Sequence, residues 1–361
     1  MVRERIISAD SHVTIRDEAV LEHLARKYHG AYQEARTAHL MRMAKRARRD
    51  ESDEGLPIAQ AERPWEAAGR PGEHDSAERL KDMDIDGIEA ELLYSDIEAG
   101  SAFNGLEEGG RLAAFRAFND AALGFAAADP KRLLIVYLIP IVDIDEAVGE
   151  VERLAGEGAR ALMLPAYPGA VGLPPYFDAR YDRLWAAIEE TGIPISQHVG
   201  ANEALWQIYG YDSTQAKGVF QSLPPIFMAE ILANWIVGGV FERFPKLRVV
   251  LVESGLGWIP YFIERLDTMQ RRHGWDHYEM IREAPSHYWQ RNMMATFEED
   301  TYGISQRHRL GIDNLMWATD YPHPDCTWPE SQKVLETHFE GVPSEEARQI
   351  IGGNAARIYR L

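Results

Sequence analysis

The chain has a single cysteine, Cys326, among its 361 residues, which excludes an internal disulfide framework and suits a reducing compartment. Long apolar runs are missing too. The longest, LLIVYLIPIV from Leu133 to Val142, falls far short of the roughly 20 residues that a bilayer-spanning helix needs. The first residues, MVRERIISAD, carry charge without an apolar stretch of signal-peptide length. A soluble, cytoplasmic protein with no membrane partner is therefore expected. Positive charge is scarce: 38 Lys and Arg stand against 57 Asp and Glu, and the formal charge of -19 would repel a phosphate backbone. Nucleic acid is not an expected partner. The one basic run, RMAKRARRD from Arg42 to Asp50, is followed at once by ESDEG and reads as a solvated helix face.

What is present points to an α/β protein. At 45% hydrophobic and 10% aromatic residues the chain can bury a large core, although its length fits two or three ordinary domains as well as one large barrel. Eight short apolar or β-branched runs recur along it: RIIS from Arg5, AELLY from Ala90, LLIVYLI from Leu133, ALMLP from Ala161, PISQH from Pro194, RVVLVE from Arg248, NMMAT from Asn292 and LMWATD from Leu315. Between them lie segments such as DIDEAVGEVERLAGEG and DARYDRLWAAIEETG, with apolar residues three and four apart and a closing glycine, as amphipathic helices have. Repeated strand–helix units predict a (β/α)8 barrel forming a single domain over 1–361. The alternative, a doubly wound sheet, lacks the GxGxxG turn expected after its first strand. One connection breaks the rhythm: the long stretch after the first run, rich in Gly, Pro and charge, marks 30–78 as an insertion that either caps the site or serves as an oligomer contact. The end, PSEEARQIIGGNAARIYRL, reads as a structural terminal helix interrupted at its Gly-Gly pair.

In a barrel of this kind the active site forms at the C-terminal ends of the strands, so polar residues that close apolar runs face the mouth. The first run continues to Asp10, Ser11 and His12; the fifth ends at His198, the sixth at Glu253, the eighth at Asp320. Residues two apart on an extended chain share a side, so Asp10 and His12 can grip one ion together. His198 and Asp320 from across the barrel would complete a set of two imidazole nitrogens and two carboxylate oxygens around one divalent metal. A position would stay open for water or substrate. Imidazole suits Zn2+ and oxygen suits Mn2+, so ligand type leaves the metal open between them.

At these residues the chain resembles the amidohydrolase superfamily. The likeness is to its amidohydrolase-related branch, which includes aminocarboxymuconate semialdehyde decarboxylase and the resorcylate and carboxyvanillate decarboxylases. It is carried by ISADSHV, RLKDMDIDGIEAELLY, QHVG, TDYPHPD and GGNAARIY in that order. The resemblance implies a mononuclear metal enzyme on a (β/α)8 barrel, commonly a homodimer, acting on small carboxylated aromatic or enol-type molecules. By position it implies Asp10, His12, His198 and Asp320 as metal ligands, with Asp320 also moving a proton. The sequence departs from the family at Asp10, where many relatives have His or Glu, and at Glu253, where His is usual.

The second departure matters electrostatically. With Asp10, Asp320 and Glu253 all ionised beside one divalent ion, an anionic substrate would be repelled. Either Glu253 is protonated, or a pocket arginine compensates, or the substrate is not a carboxylate. The fourth run, ALMLPAY, ends without the lysine that a bridged two-metal site would use. His323 and Asp325 could support the ligands or line the pocket, or simply belong to a Pro-braced loop. Trp206 and Tyr209 follow the fifth run and could wall an aromatic substrate, or pack as core. Cys326 reads as a small buried residue rather than a thiolate ligand. Non-oxidative decarboxylation, with Asp320, Glu253 and His323 as the catalytic set, is the function expected. Metal-assisted hydrolysis at the same residues is the alternative, and a barrel that only binds a ligand is the third.

Overall fold

All eight apolar runs become strands: β1 Ile7–Val13, β2 Ala90–Ser95, β3 Leu133–Leu138, β4 Ala161–Met163, β5 Ile195–His198, β6 Val249–Val252, β7 Met293–Phe297 and β8 Leu315–Trp317. The computed structural model describes residues 5–48, 69–95, 99–200, 202–211 and 213–361. The strands pair in parallel in chain order, β1 to β8, with helices between them. Beyond β8 the chain turns back onto β1: the Asp320 N–H donates to the Asp10 carbonyl at 3.0 Å, and the His12 N–H to the Tyr321 carbonyl at 2.5 Å. The (β/α)8 barrel is thus the fold, and the doubly wound sheet is not. Every strand residue is buried, which is why the runs read as continuous rather than alternating.

β1 begins two residues later than the run RIIS and continues through the polar ADSHV. A register shift between Ser8 and Ser11 accommodates this. The hydroxyls of Ser8, Ser11 and Thr319 bond one another at 2.9 to 3.0 Å, so these buried polar groups are satisfied among themselves and tie the end of β8 to β1.

The predicted helices form at Ile144–Gly156, capped by the Asp143 carboxylate, and at Asp182–Thr191, ending on Gly192 with φ 64°. The helix Pro224–Val237 lays Met228, Ile231, Leu232 and Trp235 against the barrel. The stretch Pro224–Arg243 is long and apolar enough to span a bilayer by length and composition, and in the fold 44% of its apolar window is buried. Of the insertion 30–78, the described parts are helix His29–Arg48 after its first residue and 69–78, which hold the turn Pro71–Glu73 and the start of helix Ser76–Asp86. Tyr32 is fully buried against Phe103. Residues 49–68, which carry most of the Gly/Pro-rich stretch, and the side chains of the basic run 42–48 lie outside the described residues.

The terminal Gly-Gly interruption has a packing cause. A Cβ on Gly352 would sit 2.1 Å from the Arg5 carbonyl oxygen and 3.5 Å from the Ile7 nitrogen, so only glycine lets this turn meet the start of β1. Gly352→Ala is expected to cost about 1–3 kcal/mol of overpacking. Gly353, whose nearest such contact is 3.4 Å, should tolerate Ala far better. Denaturant midpoints of the two variants check this, and equal losses would contradict it.

Candidate metal centre

The strand ends bring five titratable side chains to one place at the barrel mouth. Asp10 and His12 project from β1, His198 ends β5, and Glu253 and Asp320 follow β6 and β8. Glu253 and Asp320 both have left-handed backbone, φ 53° and 57°, an uncommon conformation for residues other than glycine. Such a conformation costs of order 1–3 kcal/mol and persists where the surroundings hold it. At Asp320 the surroundings include the 3.0 Å bond from its N–H to Asp10. At Glu253 the N–H donates to the Thr296 hydroxyl at 2.8 Å.

The distances are those of ligands around a shared centre. The His12 and His198 Nε2 atoms lie 3.2 Å apart. His12 Nε2 is 3.6 Å from Asp10 Oδ1 and 3.2 Å from Asp320 Oδ1; His198 Nε2 is 3.5 Å from Asp10 Oδ2 and 3.6 Å from Glu253 Oε2. Donors at about 2.0–2.2 Å from one ion stand roughly 3–3.5 Å from each other. Asp10, His12, His198 and Glu253 form one group with all donor atoms within 4.8 Å, and His12, Glu253, Asp320 and His323 form a second. The two groups share His12 and Glu253, so Glu253 enters the donor set alongside the four ligands expected from the sequence.

Two observations show that these residues fit a divalent cation. Both Asp10 oxygens are buried without a hydrogen-bond partner, which is costly for a carboxylate unless a cation faces it. The His198 Nδ1 donates to the Val199 carbonyl at 3.0 Å, so Nε2 is the nitrogen that faces the cluster and would bind a cation.

Charge in the site is arranged in layers. Burial alone would raise the Asp320 carboxyl, but hydrogen bonds from His12 and His323 outweigh it and hold Asp320 well below the usual carboxylate range. His323 Nδ1 lies 2.9 Å from Asp320 Oδ1, and its ring stacks on His12 at 3.9 Å. Burial would depress His323, yet the Asp320 hydrogen bond raises it above its ordinary value. Burial and then the Asp320 charge push the Glu253 carboxyl well up. Of the three ways to balance the charge, a protonated Glu253 is the one that its burial and the Asp320 charge favour.

Burial lowers His12, whereas His198, despite its burial, is raised to about 9, chiefly by the Asp10 charge. One proton therefore resides on the facing imidazole pair at neutral pH, and a metal must displace it. Metal affinity is expected to rise about tenfold per pH unit up to about 9, with at least one proton released per ion bound at pH 7. Calorimetry of Mn2+ binding in buffers of different ionisation enthalpy reads that proton directly; no release would contradict the assignment.

Two features had no counterpart in the sequence reading. Glu298 directly follows β7, its Oε1 is buried without a partner, and burial followed by the Asp320 charge pushes its carboxyl well up. It follows the seventh strand just as Asp320 follows the eighth, which is the signal that could have found it. The second is a cavity of about 850 Å3 beside the cluster, which meets it at His198. Trp206 lines this cavity. Tyr209 does not; it packs edge-on against Trp206 at 5.8 Å and on Phe220 at 4.8 Å. The helix Pro224–Val237 lines it through Glu230, Ile231, Asn234 and Trp235. Cys326 is half-buried and its thiol is pushed up to about 12 by burial, in keeping with an inert role.

A family model described as Amidohydrolase matches residues 10–361. The chain belongs to the amidohydrolase family. Among curated relatives, the gamma-resorcylate decarboxylase of a Rhizobium species is 24% identical over 304 residues, covering 78% of this amidohydrolase and 86% of the relative. Among solved structures, 5-carboxyvanillate decarboxylase from Sphingomonas paucimobilis superposes with a TM-score of 0.74 at 24% identity, covering 99% of both chains. A dihydroxybenzoic acid decarboxylase from a Polaromonas species, solved with bound manganese and the inhibitor 2-nitroresorcinol, has a TM-score of 0.68 at 17% identity, covering 99% of this amidohydrolase and 97% of that chain.

Proposed function

We propose that this amidohydrolase is a metal-dependent carboxy-lyase that removes CO2 from a carboxylated aromatic or enol-type acid. One observation carries the reading: Asp320 faces the donor cluster through His12 at 3.2 Å and the half-exposed His323 at 2.9 Å, so a proton can pass between the mouth and the reacting carbon. The relatives named as decarboxylases support it.

Asp10, His12, His198 and Asp320 would hold the cation, with Glu253 as a fifth donor or a protonated neighbour. When bound, a divalent cation there supplies positive charge that fixes the substrate carboxylate and the adjoining oxygen and offsets negative charge developing on the ring. Asp320 delivers the proton that replaces CO2 on carbon, and His323 restores it. His12 and His323, stacked, form the wall on that side. CO2 release from 2-hydroxybenzoates by manganese-loaded enzyme tests the reading. No release from any, with turnover of amides or lactones, would overturn it.

Hydrolysis at the same residues is the second reading, favoured by Glu253 standing 3.6 Å from His198 Nε2, where a carboxyl can assist an attacking water. Solvent 18O entering the product separates the two, since loss of CO2 with protonation incorporates none.

The same reading takes the enzyme as a cytoplasmic homodimer acting on a small molecule, with neither nucleic acid nor membrane as partner. The net charge of -19 and the single cysteine support this. Within one domain over 1–361, the insertion 30–78 serves as cap or subunit contact.

A further inference from the structure

The cavity beside the donor cluster is built by the C-terminal ends of β3, β4 and β5 and by the helix Pro224–Val237, through residues such as Leu138, Leu164 and Trp235. At about 850 Å3 it lies in the upper part of the range, roughly 300–1,000 Å3, that encloses drug-sized ligands. A single benzoate ring bound at the cluster would leave most of it empty.

Its walls are rigid. Gln197, one residue before His198, donates from Nε2 to the Leu164 and Pro165 carbonyls, both at 3.2 Å, and accepts from Trp235 Nε1 at 3.3 Å. Tyr176 donates to the Pro165 carbonyl at 2.6 Å. Bonds of this kind fix the loop after β4 in place, so the space is a preformed chamber rather than slack between loops.

Its chemistry is selective. No lysine or arginine is among its described lining residues, and the acids near it, Glu230 on its wall and Asp10 beside His198, disfavour a second anionic group. Two of its lining residues, Tyr167 and Asn104, each carry a buried polar atom with no hydrogen-bond partner, the Tyr167 hydroxyl and Asn104 Oδ1. Unpaired polar atoms in an apolar wall are what a ligand's own polar group would satisfy.

Resting on the decarboxylase reading, we propose that the substrate is an extended aromatic acid whose only anionic group is the carboxylate at the donor cluster. Its uncharged apolar body fills the chamber between β3, β4 and β5 and ends in a hydroxyl or similar donor that meets Tyr167 and Asn104. The reaction breaks the bond between ring and carboxylate, releases CO2 with the ring keeping the electron pair, and places one proton on that carbon. Specificity thus lies in the chamber and chemistry in the cluster.

The test compares manganese-loaded wild type, Tyr167→Phe and Ala166→Trp, Ala166 being a lining residue at which a large ring would occupy the chamber. The probes are 2-hydroxybenzoate and its 5-(4-hydroxyphenyl) and 5-(4-carboxyphenyl) derivatives, followed by CO2 release. In parallel, calorimetry measures the affinities of the corresponding phenols, which lack the reacting carboxylate. The hydroxyl-bearing biaryl should exceed the single ring in kcat/KM and its phenol should bind more tightly, each by at least about tenfold. The carboxyl-bearing biaryl should fall below both. Tyr167→Phe should remove about tenfold from the hydroxyl-bearing biaryl alone, and Ala166→Trp should bring the biaryl-to-single-ring ratio towards one. Equal affinity of the two phenols in wild type, or a biaryl preference that survives Ala166→Trp, would overturn the chamber assignment. Tight, Tyr167-dependent binding of the biaryl phenol with no CO2 from any probe would uphold the chamber and overturn the decarboxylase reading.

Discussion

Asp320→Asn is expected to lower kcat by about 100- to 10,000-fold, the range that positioned proton transfer contributes, while the protein still binds manganese. The amide keeps an oxygen that can face His12 Nε2, now 3.2 Å from Asp320 Oδ1, so the donor cluster loses charge without losing a ligand position. What it cannot do is carry a proton between His323 and the substrate carbon. His323→Gln should cost less than Asp320→Asn, because solvent can replenish Asp320 once the half-exposed ring is gone. Metal content and single-turnover rates of both variants decide the matter. A near-normal kcat in metal-loaded Asp320→Asn would remove Asp320 from the proton path, and a loss explained wholly by missing metal would make it a ligand only.

The placement of these groups was legible in the sequence because a barrel turns strand ends into a site. A strand residue that closes an apolar run has few places to go: Asp10, His12, His198, Glu253 and Asp320 sit where strand ends put them, and the two-residue spacing of Asp10 and His12 brings both to one centre. Glu298 follows the seventh strand in the same manner, but it stands two residues beyond Thr296, where the apolar run NMMAT ends. The cavity was not legible, because it depends on the path of the loop after β4 and on the tilt of the helix Pro224–Val237. Periodicity assigns a helix its buried side and says nothing of a gap beneath it. For the same reason Trp206 and Tyr209, three apart on one helix, could not be separated into a wall residue and its backing. The burial of charges in RLKDMDIDGIEAELLY was not legible either. Charged residues on an amphipathic helix are usually solvated, yet Arg79, Asp82 and Asp86 are buried and face the barrel.

Arg79 shows what those charges do, and its loss should have the largest effect on stability. Its Nε donates to Glu91 Oε2 at 2.6 Å and its Nη1 to the His12 carbonyl at 2.8 Å, and its guanidinium stands 4.2 Å over the Tyr321 ring. One fully buried side chain thus clamps β1 at a donor residue, β2 through Glu91, and the loop that follows Asp320. Arg79→Met leaves Glu91 buried and unpaired, which is expected to cost about 3–5 kcal/mol. Adding Glu91→Met removes the stranded charge and should recover most of that loss, since apolar replacement of a buried pair is often near neutral. Activity should not return with it: the His12 carbonyl still lacks its partner, so the imidazole loses the backbone support that aims Nε2 at the cluster. Urea midpoints, manganese affinity and kcat of the single and double variants test the two parts separately. Recovery of stability and activity together would reduce Arg79 to a structural ion pair, whereas stability regained with metal affinity still impaired would place it among the groups that position the donor cluster.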